Sequence, residues 1–379
     1  MDKKRILVAP LDWGLGHASR CIPLITILLS KGVQVILAAD NGALQILRKE
    51  FPRLEFIQFP GYGLRFPKGK AMILGLILQI PKILTAIRRE NRTLQDLIAE
   101  KKIDIVISDN RYGLWSAKIP CVILTHQLFI PAPFANKLIN YLNRKQLEKF
   151  NECWVPDFEG PVNFSGALSH QNPRPANVRF IGPLSRFESD TLTDEKEQTE
   201  NNCKKKYELF FILSGPEPQR SIFEQKIRQQ LGKMNPVPGS LIVQGLPETE
   251  ILRETEALPE MKGPTIAHHL STTEMKKAIS ESELIICRPG YSTIMDLSRF
   301  SKKVVFVPTP GQTEQQYLAK KFKEEQIAWS VSQKEFDIGT AIKESSAYKG
   351  FETAVLSAAE GNAVSKSGLT AEQALSSLL

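Results

Sequence analysis

The chain has 379 residues, of which 42% are hydrophobic and 24% are charged. This length suits two domains of ordinary size, and the composition excludes disordered, collagen-like and coiled-coil proteins. Lys and Arg number 49 against 41 Asp and Glu, so the formal net charge of +8 favours an anionic partner such as a phosphorylated ligand, a nucleic acid or an acidic lipid surface.

The first half alternates short β-branched runs with longer helical stretches, a pattern typical of a parallel sheet with crossover helices. The predicted strands lie at 5–9, 34–38, 55–59, 103–108, 122–125 and 152–155. The predicted helices lie near 18–30, 42–49, 71–100 and 134–150. A polar, charged stretch follows and indicates a linker or an exposed loop.

The second half repeats this pattern. Its predicted strands lie at 208–213, 241–243, 265–267, 284–287 and 303–307, and its helices near 221–233, 272–280, 292–300 and 314–325. The fold class is therefore α/β, with two Rossmann-like, doubly wound domains. The predicted divisions are an N-terminal domain at 1–183, a linker at 184–206, a C-terminal domain at 207–350 and a helical segment at 351–379. Ligands of such sheets bind beyond the carboxyl ends of the strands, so the loops there are the places to look for chemistry.

The cysteines and the apolar runs indicate a cytoplasmic protein. The five cysteines are far apart and form no Cys-x-x-Cys pair, so reduced thiols are expected. The apolar stretch near the N-terminus is too short for the core of a signal peptide. The longest apolar run, 71–80, is well short of the roughly 20 residues that a membrane span requires.

The first predicted strand leads into a glycine-containing loop and then an apolar helix. Gly14 and Gly16 allow a tight turn and the close approach of a ligand, and the helix start offers free N–H groups and a positive dipole end. His17 ends this loop, where an imidazole is a credible general base. A helix-capping or core histidine is the alternative.

The second half begins with a comparable strand, turn and helix start. Ser214, Gly215 and Arg220 supply a hydroxyl, an amide and a guanidinium, which are donors that suit an anion. The alternative is an ordinary turn, since Ser, Gly and Pro are common turn residues.

Two further loops carry candidate sugar-binding side chains. Ser292 or Thr293 is expected to cap the helix after a buried strand, and Asp296 falls one turn into that helix. The two acceptor oxygens of Asp296 suit the vicinal hydroxyls of a ribose. Gln315 and Gln316 can both donate to and accept from sugar hydroxyls, although surface glutamines are common.

Taken together, these loops resemble the glycosyltransferases related to MurG, the N-acetylglucosaminyltransferase of peptidoglycan synthesis. The C-terminal resemblance rests on Cys287-Arg288-Pro289-Gly290, Asp296, Val307-Pro308 and Glu314-Gln315-Gln316-Tyr317. The N-terminal resemblance rests on Gly14-Leu15-Gly16-His17 and on Thr125-His126-Gln127. It covers roughly residues 5–330 and implies the GT-B fold, in which two Rossmann-like domains face a cleft, with the acceptor on the first and a nucleotide-sugar on the second.

The resemblance also implies a role for each matching residue. His17 would face the acceptor hydroxyl, with Gly14, Gly16 and His126 on the acceptor side. Asp296 would contact the ribose, where the family usually has glutamate, and Gln315 and Gln316 would hold the transferred sugar. The other donor-binding residues would be Ser214, Gly215, Arg220, Arg288, Gly290, Tyr291 and Ser292.

The resemblance implies inverting transfer of a sugar, such as an N-acetylhexosamine, from a UDP-linked donor to an acceptor hydroxyl. The acceptor can be a glycan or lipid-linked. Helix N-termini can stabilise the leaving diphosphate, and the sequence shows no carboxylate cluster of the kind that binds a divalent metal. Neither a metal nor any other cofactor is therefore expected.

The run 65–92 holds seven basic residues against one acidic residue, around the apolar stretch 71–80. An apolar patch rimmed by positive charge can dock on anionic lipid, which would place the protein at the inner face of the membrane. A buried helix with a solvated end is the alternative.

Two rival functions stay open. A nucleotide-sugar hydrolase or epimerase on the same fold would use water, or the sugar itself, in place of the acceptor. A non-catalytic nucleotide-binding protein belongs to a different class. A nucleic-acid partner is not expected, because the basic residues are not interleaved with stacking aromatics.

Overall fold

The computed structural model describes residues 3–62, 79–131, 136–187, 206–246, 263–351 and 369–379. The chain forms two compact units. The first unit contains residues 1–185 together with 358–379, and the second unit contains residues 186–357.

The first unit is built on a seven-stranded sheet in which all neighbouring strands are parallel. Its strands are β1 (Arg5–Pro10), β2 (Gln34–Ala39), β3 (Glu55–Gln58), β4 (Ile105–Asp109), β5 (Cys121–Leu124), β6 (Glu152–Val155) and β7 (Val178–Phe180). They are arranged in the order β3-β2-β1-β4-β5-β6-β7. The strand order reverses between β1 and β4, and this reversal is the position at which doubly wound sheets bind ligands.

Within the described ranges, four helices connect these strands: α1 (Gly16–Ser30), α2 (Asn41–Glu50), α3 (Ile80–Lys101) and α4 (Asn136–Leu147). The central strands β1, β4 and β5 are almost entirely buried, as their continuous apolar sequences require in a sheet with both faces covered. The core packs Leu7, Ile36, Val106 and Ile123 against helix residues such as Leu94.

The second unit contains a six-stranded parallel sheet. Its strands are β8 (Tyr207–Ile212), β9 (Ser240–Val243), β10 (Thr265–Ala267), β11 (Ser282–Cys287), β12 (Lys303–Phe306) and β13 (Trp329–Ser330). They are arranged in the order β10-β9-β8-β11-β12-β13, so the reversal lies between β8 and β11.

The helices of the second unit are α5 (Gln219–Leu231), α6 (Thr272–Ser280), α7 (Tyr291–Leu297), α8 (Thr313–Glu324) and α9 (Ile338–Ser345). The last helix of the chain, α10 (Ala371–Leu378), belongs to the first unit. It packs beside α1, where Nζ of Lys31 lies 3.3 Å from Oε1 of Glu372 in α10.

The two α/β domains predicted from the sequence are confirmed. The short strands β7 and β13 were missed, because two or three residues carry too little periodicity to be recognised as a strand. The eight-residue helix α9 was also missed. The predicted helix 71–100 is helical from Ile80, while residues 71–78 lie outside the described part of the chain. Across the described residues, every helix is too short or too polar to cross a bilayer.

Candidate active site

Four polar side chains meet at the reversal of the first sheet. His17 lies in the first turn of α1 after β1, Asp109 ends β4, and His126 follows β5, while Arg20 lies one helical turn after His17. β1, β4 and β5 are consecutive neighbours in the sheet, so their carboxyl ends bring these residues together.

His17 is held by Asp109. Its Nδ1 lies 3.2 Å from each carboxylate oxygen of Asp109, and its side chain is 15% exposed. A carboxylate can only accept a hydrogen bond, so this contact favours a proton on Nδ1 and a lone pair on Nε2. An imidazole in that tautomer is equipped to take a proton from a substrate.

Asp109 is fully buried and pairs with Arg20 as well as His17. Arg20 donates from Nε to Oδ2 at 2.7 Å and from Nη2 to Oδ1. Burial by itself would raise the pKa of Asp109, but the charges and hydrogen bonds of Arg20 and His17 outweigh it and lower the pKa to about 2. Asp109 is therefore ionised at neutral pH and can orient the imidazole of His17.

His126 belongs to the same cluster. Its Nδ1 lies 3.0 Å from Nη1 of Arg20, and the residue is 4% exposed. The structure thus brings together His17 and His126, which the sequence had placed separately on the acceptor side.

The loop between β1 and α1 is a compact turn. Gly14 has φ +80°, a conformation that favours glycine, and its N–H donates to the carbonyl of Asp12 at 3.0 Å. Gly16 is the first residue of α1. Trp13 is 39% exposed and packs edge-on against Tyr62.

In the second unit, the loop after β11 differs from its prediction in one detail. Helix α7 begins at Tyr291 with Gly290 as its N-cap residue, and no side chain caps it. The predicted N-cap at Ser292 or Thr293 is therefore wrong, because the N-cap, Gly290, lies two or three residues earlier. Tyr291 is buried, while Ser292 is half-buried in the first turn.

The loop after β8 meets the loop after β12. Gly215 has φ +98°, and a Cβ atom built on it would lie 3.1 Å from Oγ1 of Thr309. Thr309 is 1% exposed, and its N–H donates to Oε1 of Gln315 at 2.7 Å. Gly215 is thus required by both its conformation and its contact, and Ser214 lies beside it at the end of the strand.

The two glutamines predicted to bind the sugar lie in different environments. Gln315 is buried and closes the turn at Thr309, whereas Gln316 is exposed on the surface of α8. Their side chains therefore do not form a matched pair, and a role in sugar binding stays a prediction.

Both arginines predicted near the diphosphate have acceptors within the protein. Arg220 pairs with Glu217 and Glu224 and is 5% exposed. Arg288 is 1% exposed, donates to the carbonyl of Val307 at 2.8 Å, and has its pKa lowered to about 10, mainly by burial. Contact with a diphosphate would require these interactions to be exchanged.

Asp296, predicted to contact a ribose, is bound by Arg186. The backbone N–H of Arg186 donates to Oδ1 at 3.2 Å, and its Nε donates to Oδ2 at 2.9 Å. Any ribose hydroxyl that uses this carboxylate would share it with Arg186.

The sequence analysis missed Asp109, Arg20, Thr309 and Arg186. The signal for Asp109 was an acid directly after the buried run Ile-Val-Ile-Ser, one residue beyond the predicted strand. Arg20 could have been noticed as a cation within an apolar helix, since such a residue is rarely buried without a partner. No group of three or more His, Cys, Asp or Glu suited to a metal ion occurs among the described residues.

Comparison with known proteins shows the class of enzyme that this chain resembles. Residues 250–361 match the glycosyltransferase family 28 C-terminal domain. Two relatives, both described as uncharacterized glycosyltransferases, come from Methanosarcina acetivorans and Methanosarcina mazei. Each is 23% identical and spans 85% of this chain and 84% of the relative.

Solved glycosyltransferases share the fold of the chain. The glycotransferase of kitacinnamycin has a TM-score of 0.64 at 14% identity, over 100% of both chains. MurG of Acinetobacter baumannii has a TM-score of 0.53 at 16% identity, over 100% of this chain and 99% of that chain. The spinosyn rhamnosyltransferase SpnG has a TM-score of 0.59 at 14% identity, over 99% of each chain. The predicted resemblance, the GT-B fold and the enzyme class, a glycosyltransferase, are confirmed.

Proposed function

We propose that this glycosyltransferase moves a sugar from a nucleoside diphosphate donor to an acceptor hydroxyl, with His17 as the general base. The contact between His17 and the ionised Asp109 carries this proposal, because it leaves Nε2 of His17 able to accept a proton. The family 28 domain supports a nucleotide-sugar as the donor.

The reaction is a single displacement. Nε2 of His17 takes the proton of the acceptor hydroxyl while the acceptor oxygen attacks the anomeric carbon. The bond from that carbon to the diphosphate oxygen breaks, and the nucleoside diphosphate leaves with the electron pair. Attack from the side opposite the leaving group inverts the anomeric configuration. Asp109 stabilises the imidazolium that forms on His17.

We place donor binding on the second unit, at the loops after β8 and β11. The backbone of Gly215 and the N-terminus of α7 at Gly290 can present N–H groups to a phosphate, and helix N-termini favour negative charge. These groups can stabilise the leaving diphosphate without a metal ion, so activity should survive EDTA. The preference for UDP rests on the resemblance to MurG; SpnG has been solved with thymidine diphosphate.

A lipid-linked acceptor would require contact with an anionic membrane, and two surfaces of the first unit support this. On α3, Lys82, Arg88, Arg89 and Arg92 are exposed. The rest of the basic run, including Arg65, Lys68 and Lys70, lies outside the described residues.

Helix α4 supplies the second, apolar surface. Leu138, Tyr141 and Leu142 are 59%, 58% and 40% exposed and follow helical spacing, so they line one face. Lys137 and Lys145 flank that face. Apolar side chains with adjacent cations are the combination that binds anionic lipid surfaces.

The opposite face of α4 is tied to the loop that carries His126. Asn143 donates from Nδ2 to the carbonyls of Gln127 and Leu128 at 3.0 and 3.1 Å. Docking of α4 on the inner face of a membrane would therefore bring a lipid-linked acceptor near the His17 cluster. We propose a cytoplasmic protein that contacts the membrane peripherally.

Product analysis tests the proposed function. UDP release that depends on added acceptor, with a new glycosylated product, supports transfer. Free sugar formed without acceptor would mean a hydrolase, and an altered UDP-sugar without UDP release would mean an epimerase. Binding of UDP-sugars without turnover of any kind would mean a nucleotide-binding protein.

A further inference from the structure

The guanidinium of Arg20 contacts the side chains of Asp109, His126 and His17. Its Nε and Nη2 bind the two carboxylate oxygens of Asp109, and its Nη1 lies 3.0 Å from Nδ1 of His126. Arg20 is 2% exposed and His126 is 4% exposed, so water can do little to replace these hydrogen bonds. The imidazoles of His17 and His126 therefore contact different nitrogens of the Arg20 guanidinium, and that of His17 also contacts Asp109.

The contact with Arg20 determines where His126 carries its proton. An arginine side chain stays charged in proteins and has no acceptor, so Nη1 can only donate. Nδ1 of His126 must then accept, which it can do only without a proton. A neutral imidazole has one N–H, so the proton of His126 lies on Nε2.

The opposite tautomer follows for His17. Nη2 of Arg20 also lies 3.0 Å from Nδ1 of His17, yet Nδ1 cannot accept from Arg20 and donate to Asp109 at once. A lone pair on Nδ1 would face two negatively charged oxygens at 3.2 Å, so the proton is favoured on Nδ1. The lone pair of His17 then lies on Nε2.

We infer that Arg20 is a positioning residue that gives the two histidines opposite roles. Through Asp109 it sets His17 as the base, and through its own Nη1 it makes Nε2 of His126 a hydrogen-bond donor. The two roles rest on the proposed function, whereas the two tautomers do not. One histidine of the site can then accept a proton while the other donates a hydrogen bond.

Nitrogen NMR of histidine-labelled protein tests the tautomers without substrate. The signals of His17 and His126 are assigned by their loss in H17Q and H126Q. At pH 7 we expect His126 to carry its proton on Nε2 and His17 on Nδ1. In R20K, the ammonium can pair with Asp109 but cannot also reach His126, so only His126 should lose its single tautomer. A protonated Nδ1 on His126 in the wild type, or an unchanged His126 in a folded R20K, would overturn the inference.

A second comparison tests the roles. Glutamine can accept at one atom and donate at the other, as His126 does, whereas leucine can do neither. We expect H126Q to keep activity within about tenfold of the wild type and H126L to lose about 10²-fold in kcat/KM. H17Q should lose at least as much as H126L, because an amide is no base. Equal losses in H126Q and H126L would contradict the donor role. If no sugar transfer is found at all, the proposed function fails, but the NMR test of the two tautomers is unaffected.

Discussion

The Nδ1 atom of His17 lies 3.2 Å from both carboxylate oxygens of Asp109, a residue 92 positions away in the sequence. Asp109 is buried and ionised because Arg20 compensates its charge. An ionised carboxylate behind an imidazole is the arrangement that makes histidine a good base at neutral pH.

Replacing Asp109 with asparagine should remove most of the activity. In D109N the amide can offer a donor to Nδ1 of His17, which would favour the wrong tautomer. We expect kcat to fall by about 10²–10⁴-fold, as measured by acceptor-dependent nucleotide release. The control is D96N, which changes an exposed aspartate on α3 in the same unit. Comparable activity in the two variants would contradict the role of Asp109.

Asp109 should also make stability depend on pH. Its pKa of about 2 lies below the ordinary value of 3.8, so its contribution is present above about pH 4 and is lost as the pH falls toward 2. The shift corresponds to about 2 kcal/mol. Urea unfolding should show that the difference in unfolding free energy between wild type and D109N narrows by about 1 kcal/mol from pH 6 to pH 3. An equal difference at both pH values would refute the ionised pair.

Gly215 should not tolerate a side chain. Its φ of +98° strains any other residue, and an added Cβ would lie 3.1 Å from Oγ1 of Thr309. We expect G215A to lower the unfolding free energy by about 1–2 kcal/mol and to raise the KM for the donor. G232A is the matched control, because Gly232 at the end of α5 has φ −64°. Thermal unfolding and donor titration of both variants provide the test, and a G215A variant that behaves like G232A would exclude a tight turn here.

Substitutions of Arg186 and Asp296 can distinguish whether Asp296 binds a ribose or only stabilises the fold. Their side chains are 14% and 9% exposed, so both substitutions should lower stability by about 1–3 kcal/mol. If Asp296 also binds a ribose, D296N should weaken UDP binding about tenfold while R186Q leaves it unchanged. Calorimetric titration with UDP distinguishes the two cases. Equal UDP affinity in D296N and R186Q would assign Asp296 to the fold alone.

The exposed face of α4 should bind anionic vesicles. Replacing Leu138, Tyr141 and Leu142 by serine removes the apolar contact but keeps the lysines, so co-sedimentation with anionic vesicles at low salt should fall at least several-fold. I342S, at an exposed residue of α9 in the second unit, should bind like the wild type. Wild-type protein that stays in the supernatant, or a triple variant that binds equally well, would contradict the proposal that this face of α4 binds membranes.

The α/β fold could be predicted because it is encoded locally. Runs such as Ile-Leu-Val-Ala in β1 and Phe-Phe-Ile in β8 are continuous and apolar, which is the pattern of buried parallel strands. Glycines at the strand ends marked the turns, and Gly14 and Gly215 both have positive φ. The position of the first candidate site followed from these strand ends.

The partners of the site residues could not be predicted in the same way. Asp109 meets His17 and Arg20 only because β1 and β4 are adjacent, although the chain passes through β2, β3 and α3 between them. Arg288 and Arg220 suited an anion by charge and position, yet both are buried and donate to acceptors within the protein. Burial and pairing depend on residues distant in sequence, and a single sequence does not show these contacts.

One measurement tests the central claim most directly. Wild-type protein and H17A are incubated with UDP-N-acetylglucosamine, UDP-glucose or UDP-galactose and a cell lipid extract, and UDP release and product masses are recorded. Wild type should release UDP from at least one donor only when extract is present, with a product heavier by one sugar, and H17A should lose at least about 10²-fold of this rate. No extract-dependent transfer from any donor, or equal transfer by H17A, would contradict the account.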